Sequence, residues 1–310
     1  MIFYLKLINK RSNMAIGIVA EYNPFHNGHI RQLNWIKENF PNEKIIVVMT
    51  DKFSQRGELT ITSFAKRKAI AKKYGVNKVL KLNFKQSVQA AHIFAQNAIK
   101  KLYKAGVDKI VFGSESNNIE QMIFIAKTLK QNQQNFDQII RKYIRKEKLA
   151  YPKAFSCALQ ELTGKNFTMP NDILGFEYIK TIIFNDYNIT PYSIERNVAF
   201  HSETTTENYA SASLLRNKLR NNESISQFSP MKIKRPRFID KYYKKFIKIL
   251  TNTNINKLKK VKLVSEGIEN LLLKNANQPD YNSFVNACVS KRYTASRIKR
   301  IIAWILCKKW

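Results

Sequence analysis

The stretch Ile16–Ile30, I-G-I-V-A-E-Y-N-P-F-H-N-G-H-I, decides the fold. Its apolar start predicts a buried strand over Ala15–Glu21, Pro24 predicts a turn, and helical spacing begins around His26, Gly28 and His29. The whole chain holds four histidines and nine glycines, yet two histidines and a glycine fall within these four positions. A strand that hands two imidazoles and a glycine to a helix N-terminus builds an anion site. The unpaired N–H groups and the positive end of the helix dipole face the ligand, and glycine lets it approach closely. Histidines that merely cap the helix or sit on the surface are the plainer alternative. That alternative suits a lone histidine better than a pair flanking a glycine.

Outward from that turn the pattern repeats. Ile30, Leu33, Trp35, Ile36 and Phe40 continue a helix, and Lys44–Met49 predicts a second strand. Ser63–Tyr74 predicts a helix ended by Gly75, and Lys78–Leu82 a third strand. Ser87–Tyr103 predicts one amphipathic helix stopped by Gly106, and Lys109–Phe112 a fourth strand. This alternation implies an α/β fold, a doubly wound parallel sheet that binds ligands at the carboxyl ends of its strands. Residues 117–186 read as mostly helical, with an exposed Gln/Asn-rich stretch at Gln131–Asn135, and Tyr192–Val198 predicts one more strand. Polar residues with Pro230 and Pro236 read as a linker over Ser224–Arg237, leading to a mainly helical C-terminal module. The expected division is an extension over 1–13 ahead of Met14, a nucleotide-binding catalytic domain with a helical insertion over 14–223, and a basic helical module over 224–310.

At 310 residues and 44% hydrophobic content the chain can bury a full core. Its apolar run Ile301–Cys307 lies between basic pairs and is far short of the roughly 20 residues a bilayer span needs, so no membrane partner is expected. Cys157, Cys288 and Cys307 are widely spaced, which predicts a reducing cytoplasm without disulfides or a cysteine zinc site. The formal charge is +32. From Arg216 to Trp310 there are 23 basic and 5 acidic residues. Coding bias toward lysine explains some of that, but the uneven excess points to a polyanionic partner, a nucleic acid.

Glycines Gly57, Gly113 and Gly175 each fall in short motifs, the first two past predicted strand ends. Ala210-Ser-Ala-Ser-Leu-Leu-Arg216 places small hydroxyls at a helix start and an arginine one turn on, suited to phosphate or to simple capping. Lys291-Arg-Tyr-Thr-Ala-Ser-Arg-Ile-Lys-Arg300 interleaves cations with an aromatic ring, suited to phosphate contact and base stacking or to a solvated helix face.

These motifs together resemble the nucleotidylyltransferase/HIGH superfamily, and within it the bacterial tRNA(Met) cytidine acetate ligases. The matching segments run in order: Gly17–His29, Phe53–Glu58, Phe112–Glu115, Asn171–Gly175, Ile194–Arg196 with His201, Ser211–Arg216, Glu266–Asn270 and Lys291–Ile301. The resemblance implies a Rossmann-like domain and an enzyme that activates acetate with ATP as acetyladenylate. The enzyme would then acetylate the wobble cytidine of elongator tRNA(Met). It implies catalytic roles for His26, His29 and Arg216. The implied ATP site comprises Val19, Ala20, Glu21, Tyr22, Asn23, Pro24, Phe25, His26, Asn27, Gly28, His29, Ile30, Arg31 and Gln32, with Gly113, Asn171, Arg196, Ser211 and Ser213, and Mg²⁺ accompanying the nucleotide. The resemblance implies RNA rather than DNA as the partner, with Lys291, Arg292, Tyr293, Arg297 and Arg300 as the expected tRNA contacts. No resident metal site is expected. An anionic phosphate beside either histidine would favour its imidazolium form. The chain departs from the family pattern at Asp51-Lys52, Leu59, Lys81-Leu82-Asn83 and Glu195. Two other readings share the turn: a small-molecule nucleotidylyltransferase, and an RNA-binding protein that has kept the fold without catalysis.

Overall fold

A computed structural model describes residues 14–196 and 208–308. The expected extension over 1–13, His201, and the last part of the Tyr192–Val198 strand lie outside them. Five parallel strands, β1 (Ala15–Ala20), β2 (Lys44–Thr50), β3 (Lys78–Leu82), β4 (Lys109–Ser114) and β5 (Thr190–Glu195), form one sheet in the order β3-β2-β1-β4-β5. The order reverses beside β1, so the doubly wound reading holds. Helix α1 (Asn27–Asn39) joins β1 to β2, and α2 (Phe64–Lys73) joins β2 to β3. A short α3 (Phe84–Ser87) and a longer α4 (Ala91–Lys104) lead to β4. The insertion before β5 holds α5 (Ile119–Gln131), α6 (Gln133–Arg145), α7 (Tyr151–Thr163) and α8 (Pro170–Phe184). After β5 come α9 (Ala212–Arg220), α10 (Tyr243–Thr251), α11 (Ile255–Leu258), α12 (Ile268–Lys274), α13 (Tyr281–Cys288) and α14 (Ala295–Leu306).

Alternation along the strands builds the two layers. Ile16, Ile18, Ile45, Val47, Met49 and Val111 face one side with Leu33 and Ile36 of α1. Ala15, Ile46, Val48, Ile110 and Phe112 face the other with Phe94, Ala98 and Leu102 of α4. Gly17 admits that second layer: a Cβ there would meet Leu102 and Val107 at 2.9 Å. Asp51 and Lys81, two of the family departures, form an ion pair at 3.5 Å across the ends of β2 and β3.

The single helix expected over Ser87–Tyr103 is two. Asn83 caps α3, accepting from the Gln86 N–H at 3.0 Å, and the Val88 carbonyl accepts instead from the Trp304 indole at 3.0 Å. Tertiary contact with α14 therefore ends α3 and restarts the chain at Ala91. The expected linker Ser224–Arg237 is packed. Ile225, Phe228 and Phe238 share a core with Ile61, Ala210, Leu215 and Leu219, and Met231 joins the core of the sheet. The C-terminal helices have their own core, but Phe53, Phe84 and Val88 from the sheet domain complete it. The expected boundary at residue 224 therefore runs through continuous packing.

Gly57 shows how tight that docking is. Its φ is +85°, and a Cβ would lie 2.7 Å from the Arg300 backbone in α14. Gly164 also has a positive φ, +68°, but open space around it. Gly164→Ala should cost about 1 kcal/mol from backbone strain alone, whereas Gly57→Ala should cost about 1–3 kcal/mol more from overpacking. Urea unfolding midpoints of the two variants would show that ordering.

Candidate active site at the strand-to-helix turn

The sheet opens beside His26 and His29. β1 pairs with β2 from Ala15 to Ala20 but with β4 only at Ile16 and Gly17. Beyond those two residues the strands splay, leaving a crevice at the switch point of the sheet. Gln32 of α1 spans it, donating from Nε2 to the Val111 carbonyl at 3.1 Å. That bond satisfies a strand acceptor that splaying would otherwise orphan.

His26 is the N-cap of α1, and the capping box is built from imidazoles. His26 Nδ1 accepts from the Gly28 N–H at 3.1 Å, and His29 Nδ1 accepts from the His26 N–H at 3.1 Å. A neutral imidazole that accepts at Nδ1 carries its proton at Nε2. The turn therefore presents two Nε2–H donors on rings 3.8 Å apart. Gly28 is required because the His26 ring lies over it: a Cβ would meet His26 Cε1 at 2.9 Å. Tyr22 and Phe25 wall His29 from behind, at centroid distances of 4.7 and 5.5 Å. Burial, with Arg196 and Arg216 nearby, pushes His26 down to about 3. Burial, then His26 and Arg196, hold His29 well below the usual histidine range. With no anion beside them both rings are thus held neutral, and it is as neutral rings that their Nδ1 atoms accept the capping N–H groups.

His26, Gly28, His29, Arg31, Gln32, Gly113, Ile194, Glu195, Arg196, Tyr209 and Ala210 line a cavity of about 80 Å³. That volume suits a phosphate group, with the rest of a nucleotide in the open crevice. Arg196 crosses Gly113, where a Cβ would meet its Cγ at 3.3 Å. Its Nε is buried with no hydrogen-bond partner among the described residues. A buried orphan donor on a cavity arginine is what an anionic ligand would satisfy.

The other expected ATP residues build the frame. Val19 and Ala20 end β1, and the following loop runs through Pro24 to Ile30 in the first turn of α1. Glu21 is raised in pKa by burial, and its Oε1 accepts from the Gln55 N–H at 2.7 Å. The fully buried Arg67 clamps the loop, donating to the carbonyls of Glu21, at 2.6 Å, and Asp51. Asn23 Oδ1 takes the Ile61 N–H, and Asn27 ties α1 to the carbonyls of Asn208 and Gln227. Phe25 is buried, and its carbonyl accepts from the Ser229 hydroxyl at 2.6 Å. Ser211 caps α9 through the Leu214 N–H. Asn171 lies away from the cavity lining. It donates from Nδ2 to Glu115 Oε1 at 2.5 Å, while the Asp172 carboxylate takes Ser114 Oγ and the N–H groups of Glu115 and Ser116. This reciprocal clamp fixes the loop after β4 against α8, and Gly175 lets α8 approach, since a Cβ would strike the Phe112 ring at 2.4 Å.

Arg216 also stands outside that lining. It donates to the Asn23 carbonyl at 3.0 Å and Ser213 Oγ at 3.2 Å, and lies 3.6 Å from Glu58. Glu58 in turn holds Lys299 at 3.0 Å. Sequence reasoning missed the Glu58–Lys299 pair and the separate Arg67 clamp, because their partners are remote in sequence.

The basic block over Lys291–Arg300 is largely structural. Tyr293 is buried, its hydroxyl donating to the Glu266 carbonyl at 2.5 Å, so its ring is closed to base stacking. Arg297 is held by the Glu266 carboxylate at 3.1 Å and Ser265 Oγ at 2.7 Å. Arg300 is buried, with its pKa lowered to about 10. Of the five expected RNA contacts, Lys291 is exposed and Arg292 half-exposed.

The chain matches the HIGH Nucleotidyl Transferase family over residues 13–309. It is 52% identical over 306 residues to the tRNA(Met) cytidine acetate ligase of Mycoplasmopsis synoviae, covering 97% of this chain and 99% of the relative. It is 34% identical over 312 residues to the Geobacillus enzyme of the same name, covering 94% and 78%. Among solved structures it is similar to Thermotoga maritima TmcAL without ligand, with a TM-score of 0.87 and 29% identity over 94% of this chain and 75% of that one. The TmcAL structure bound with alpha-thio ATP gives a TM-score of 0.83 and 28% identity, over 95% and 74%.

Neutral imidazoles make a testable acid sensitivity. Unfolded histidine titrates near pH 6.5, and burial lowers folded His26 to about 3 and folded His92 to about 4. Between these values the unfolded chain takes up protons that the folded one refuses, so stability falls as pH drops below 6.5. His92→Phe should flatten the slope of unfolding free energy between pH 6 and 4.5 by about one proton. Urea titrations at a series of pH values would check it.

Proposed function

The chain belongs to the HIGH Nucleotidyl Transferase family and to its tRNA(Met) cytidine acetate ligase branch, and from that premise we propose its reaction. It binds ATP and activates acetate as acetyladenylate. It then acetylates the wobble cytidine of elongator tRNA(Met) at the exocyclic amine. The single observation that carries this reading is the pair of Nε2–H donors on a helix N-terminus, beside an arginine whose buried Nε has no partner among the described residues.

An acetate oxygen attacks the α-phosphorus while the bond to the β-phosphate bridging oxygen breaks, and pyrophosphate leaves. Charge grows on the α-phosphate oxygens and on pyrophosphate. Preorganised donors aimed at those oxygens are the largest available lever. His26 and His29 supply them as neutral donors held by backbone caps, with no proton transfer required of either ring. Arg196 adds a fixed charge, and Arg216 stands ready at the loop carbonyl of Asn23. In the second half the cytosine amine attacks the acetyl carbonyl, the anhydride C–O bond breaks, AMP leaves and the amine sheds a proton. Mg²⁺ would ride on the triphosphate and screen its charge. Among the described residues no group of three His, Cys, Asp or Glu gathers that could cage a metal.

The basic surface supports the RNA partner, with Lys291 and Arg292 as its proposed phosphate contacts and other cations of the +32 chain beside them. Three free cysteines suit a reducing cytoplasm. No described helix is long and apolar enough to cross a membrane.

Acetate-dependent ATP–pyrophosphate exchange should be present and should fall about 10²–10³-fold in His29→Ala, the loss expected for one oxyanion donor. Acetylcytidine should appear in digests of unmodified tRNA(Met) incubated with ATP and labelled acetate. Absence of exchange with acetate or any other small carboxylate would overturn the reading. Replacing Lys291 and Arg292 together by alanine should leave exchange intact and lower the salt slope of tRNA binding by about 1–2. Arg297→Ala should instead lower the unfolding midpoint, through loss of its Glu266 and Ser265 bonds.

A further inference from the structure

A second cavity, larger than the first, lies between α9 and the C-terminal helices. Its volume is about 320 Å³. Ser213, Arg216 and Asn217 of α9 form one wall, and Tyr281, Asn282 and Lys299 another. We propose that this cavity is the pocket for the acceptor nucleobase, a pyrimidine whose exocyclic amine donates to the Glu58 carboxylate. The proposal rests on the ligase reading and extends it to a site of its own.

Position is the first argument. Tyr209 and Ala210 border the histidine cavity, and Ser213 and Arg216 border the second. The two linings follow one another along the chain, the first ending two residues before α9 and the second beginning in its first turn. Arg216 reaches through the division, lining the second cavity while donating to the Asn23 carbonyl of the histidine loop. An amine held there lies beside the phosphate site rather than across the molecule from it.

The lining suits a neutral heterocycle rather than another phosphate. Its cations are already paired: Arg220 with Asp240, and both Arg216 and Lys299 with Glu58. Phe238, Ile239 and Leu59 give an apolar side, and the Arg220 guanidinium lies 4.2 Å over the Phe238 ring. The Phe238 ring is buried beneath that guanidinium, and guanidinium planes are among the surfaces on which unstacked bases settle. The exposed amides of Asn217 and Asn282 stand at the rim.

Two polar groups of the lining, one unpartnered and one already paired with cations, fit a base of that kind. Tyr281 is 5% exposed, and its hydroxyl has no hydrogen-bond partner among the described residues. A buried, unsatisfied hydroxyl costs about 1–3 kcal/mol, which a ligand acceptor would return. Glu58 is an acceptor only. Burial raises its carboxyl, but Arg216 and Lys299 outweigh that and hold it below the ordinary value. A carboxylate accepts from the N4 amine of cytosine and repels the O4 of uracil at the same place. Glu58 is therefore the residue that selects an amine-bearing base.

The test uses the full chain and an RNA hairpin of the tRNA(Met) anticodon arm with 5-iodocytidine at the acceptor position. Ultraviolet crosslinking should place adducts on Phe238 or Tyr281. Asn282→Trp, which fills the rim, should cut their yield at least about tenfold while acetate-dependent exchange persists. Adducts only at other residues, or none at all, would overturn the pocket. With unlabelled hairpins, the wild type should bind C over U by about tenfold or more, the discrimination of one good base-edge contact. Glu58→Gln should reduce that preference to about threefold or less, since an amide can donate as well as accept. An unchanged preference would remove Glu58 from the proposal's selective role and sink it. Exchange separates the two readings: exchange without groove adducts defeats the pocket alone, and groove adducts without exchange defeat acetate activation alone.

Discussion

Two backbone N–H groups at the start of α1 are capped by two imidazoles, and the chemistry of the site follows from that arrangement. Capping residues usually offer a carboxylate, hydroxyl or amide oxygen. Here Nδ1 does that work, which fixes the tautomer and turns each ring so that its remaining N–H is free. The same bonds suit neutral rings, which burial and the nearby arginines favour. Neutral donors have an advantage at a phosphate that must also be released: they stabilise developing charge without forming a full ion pair. Gly28 belongs to the same device, because only a missing Cβ lets the His26 ring fold back over its own helix.

The C-terminal helices complete this site. α14 presses its backbone on Gly57, its Trp304 takes the Val88 carbonyl, and its Lys299 shares Glu58 with Arg216. A single carboxylate thus joins the loop after β2, the start of α9 and the last helix. The packed segment over 224–238 adds a further tie, with Ser229 and Met231 bonded to the backbone of Phe25. RNA bound on the C-terminal side would therefore press on the elements that carry Arg216.

The turn, the alternation of strands and helices and the glycine at 28 were legible because local spacing dictates them. Strand β3 falls at Lys78–Leu82 as read, since its alternation with a preceding Gly75 turn is self-contained. What escaped were interactions that depend on remote partners. Nothing near Ser87 signals that an indole from α14 will take the carbonyl of Val88. Nothing within Lys291–Arg300 distinguishes a cation for RNA from one held by Glu266. Tyr293 reads as a stacking ring until Glu266 arrives from 27 residues away to take its hydroxyl. Even the departures at Asp51 and Lys81 become intelligible only when β2 and β3 lie side by side.

In a chain of 54 basic and 22 acidic side chains, carboxylates are the scarce resource, and their positions mark where the fold is pinned. Glu115 and Asp172 lock the loop after β4 to α8. Glu43 and Asp108 hold Lys109 at the entry of β4. Asp280 caps α13 through the N–H groups of Asn282 and Ser283, and so presents Tyr281 and Asn282 to the second cavity. Glu58 holds two cations at once. Most lysines, by contrast, lie on surfaces where an ion pair would contribute little. The basic excess thus serves as a field that attracts a polyanion, while the few acids do the positioning. Glu58, which ties three elements and also lies beside the unsatisfied Tyr281 phenol at the second cavity, joins both roles, since the pairs that pin the fold also fix the acceptor an incoming amine would meet.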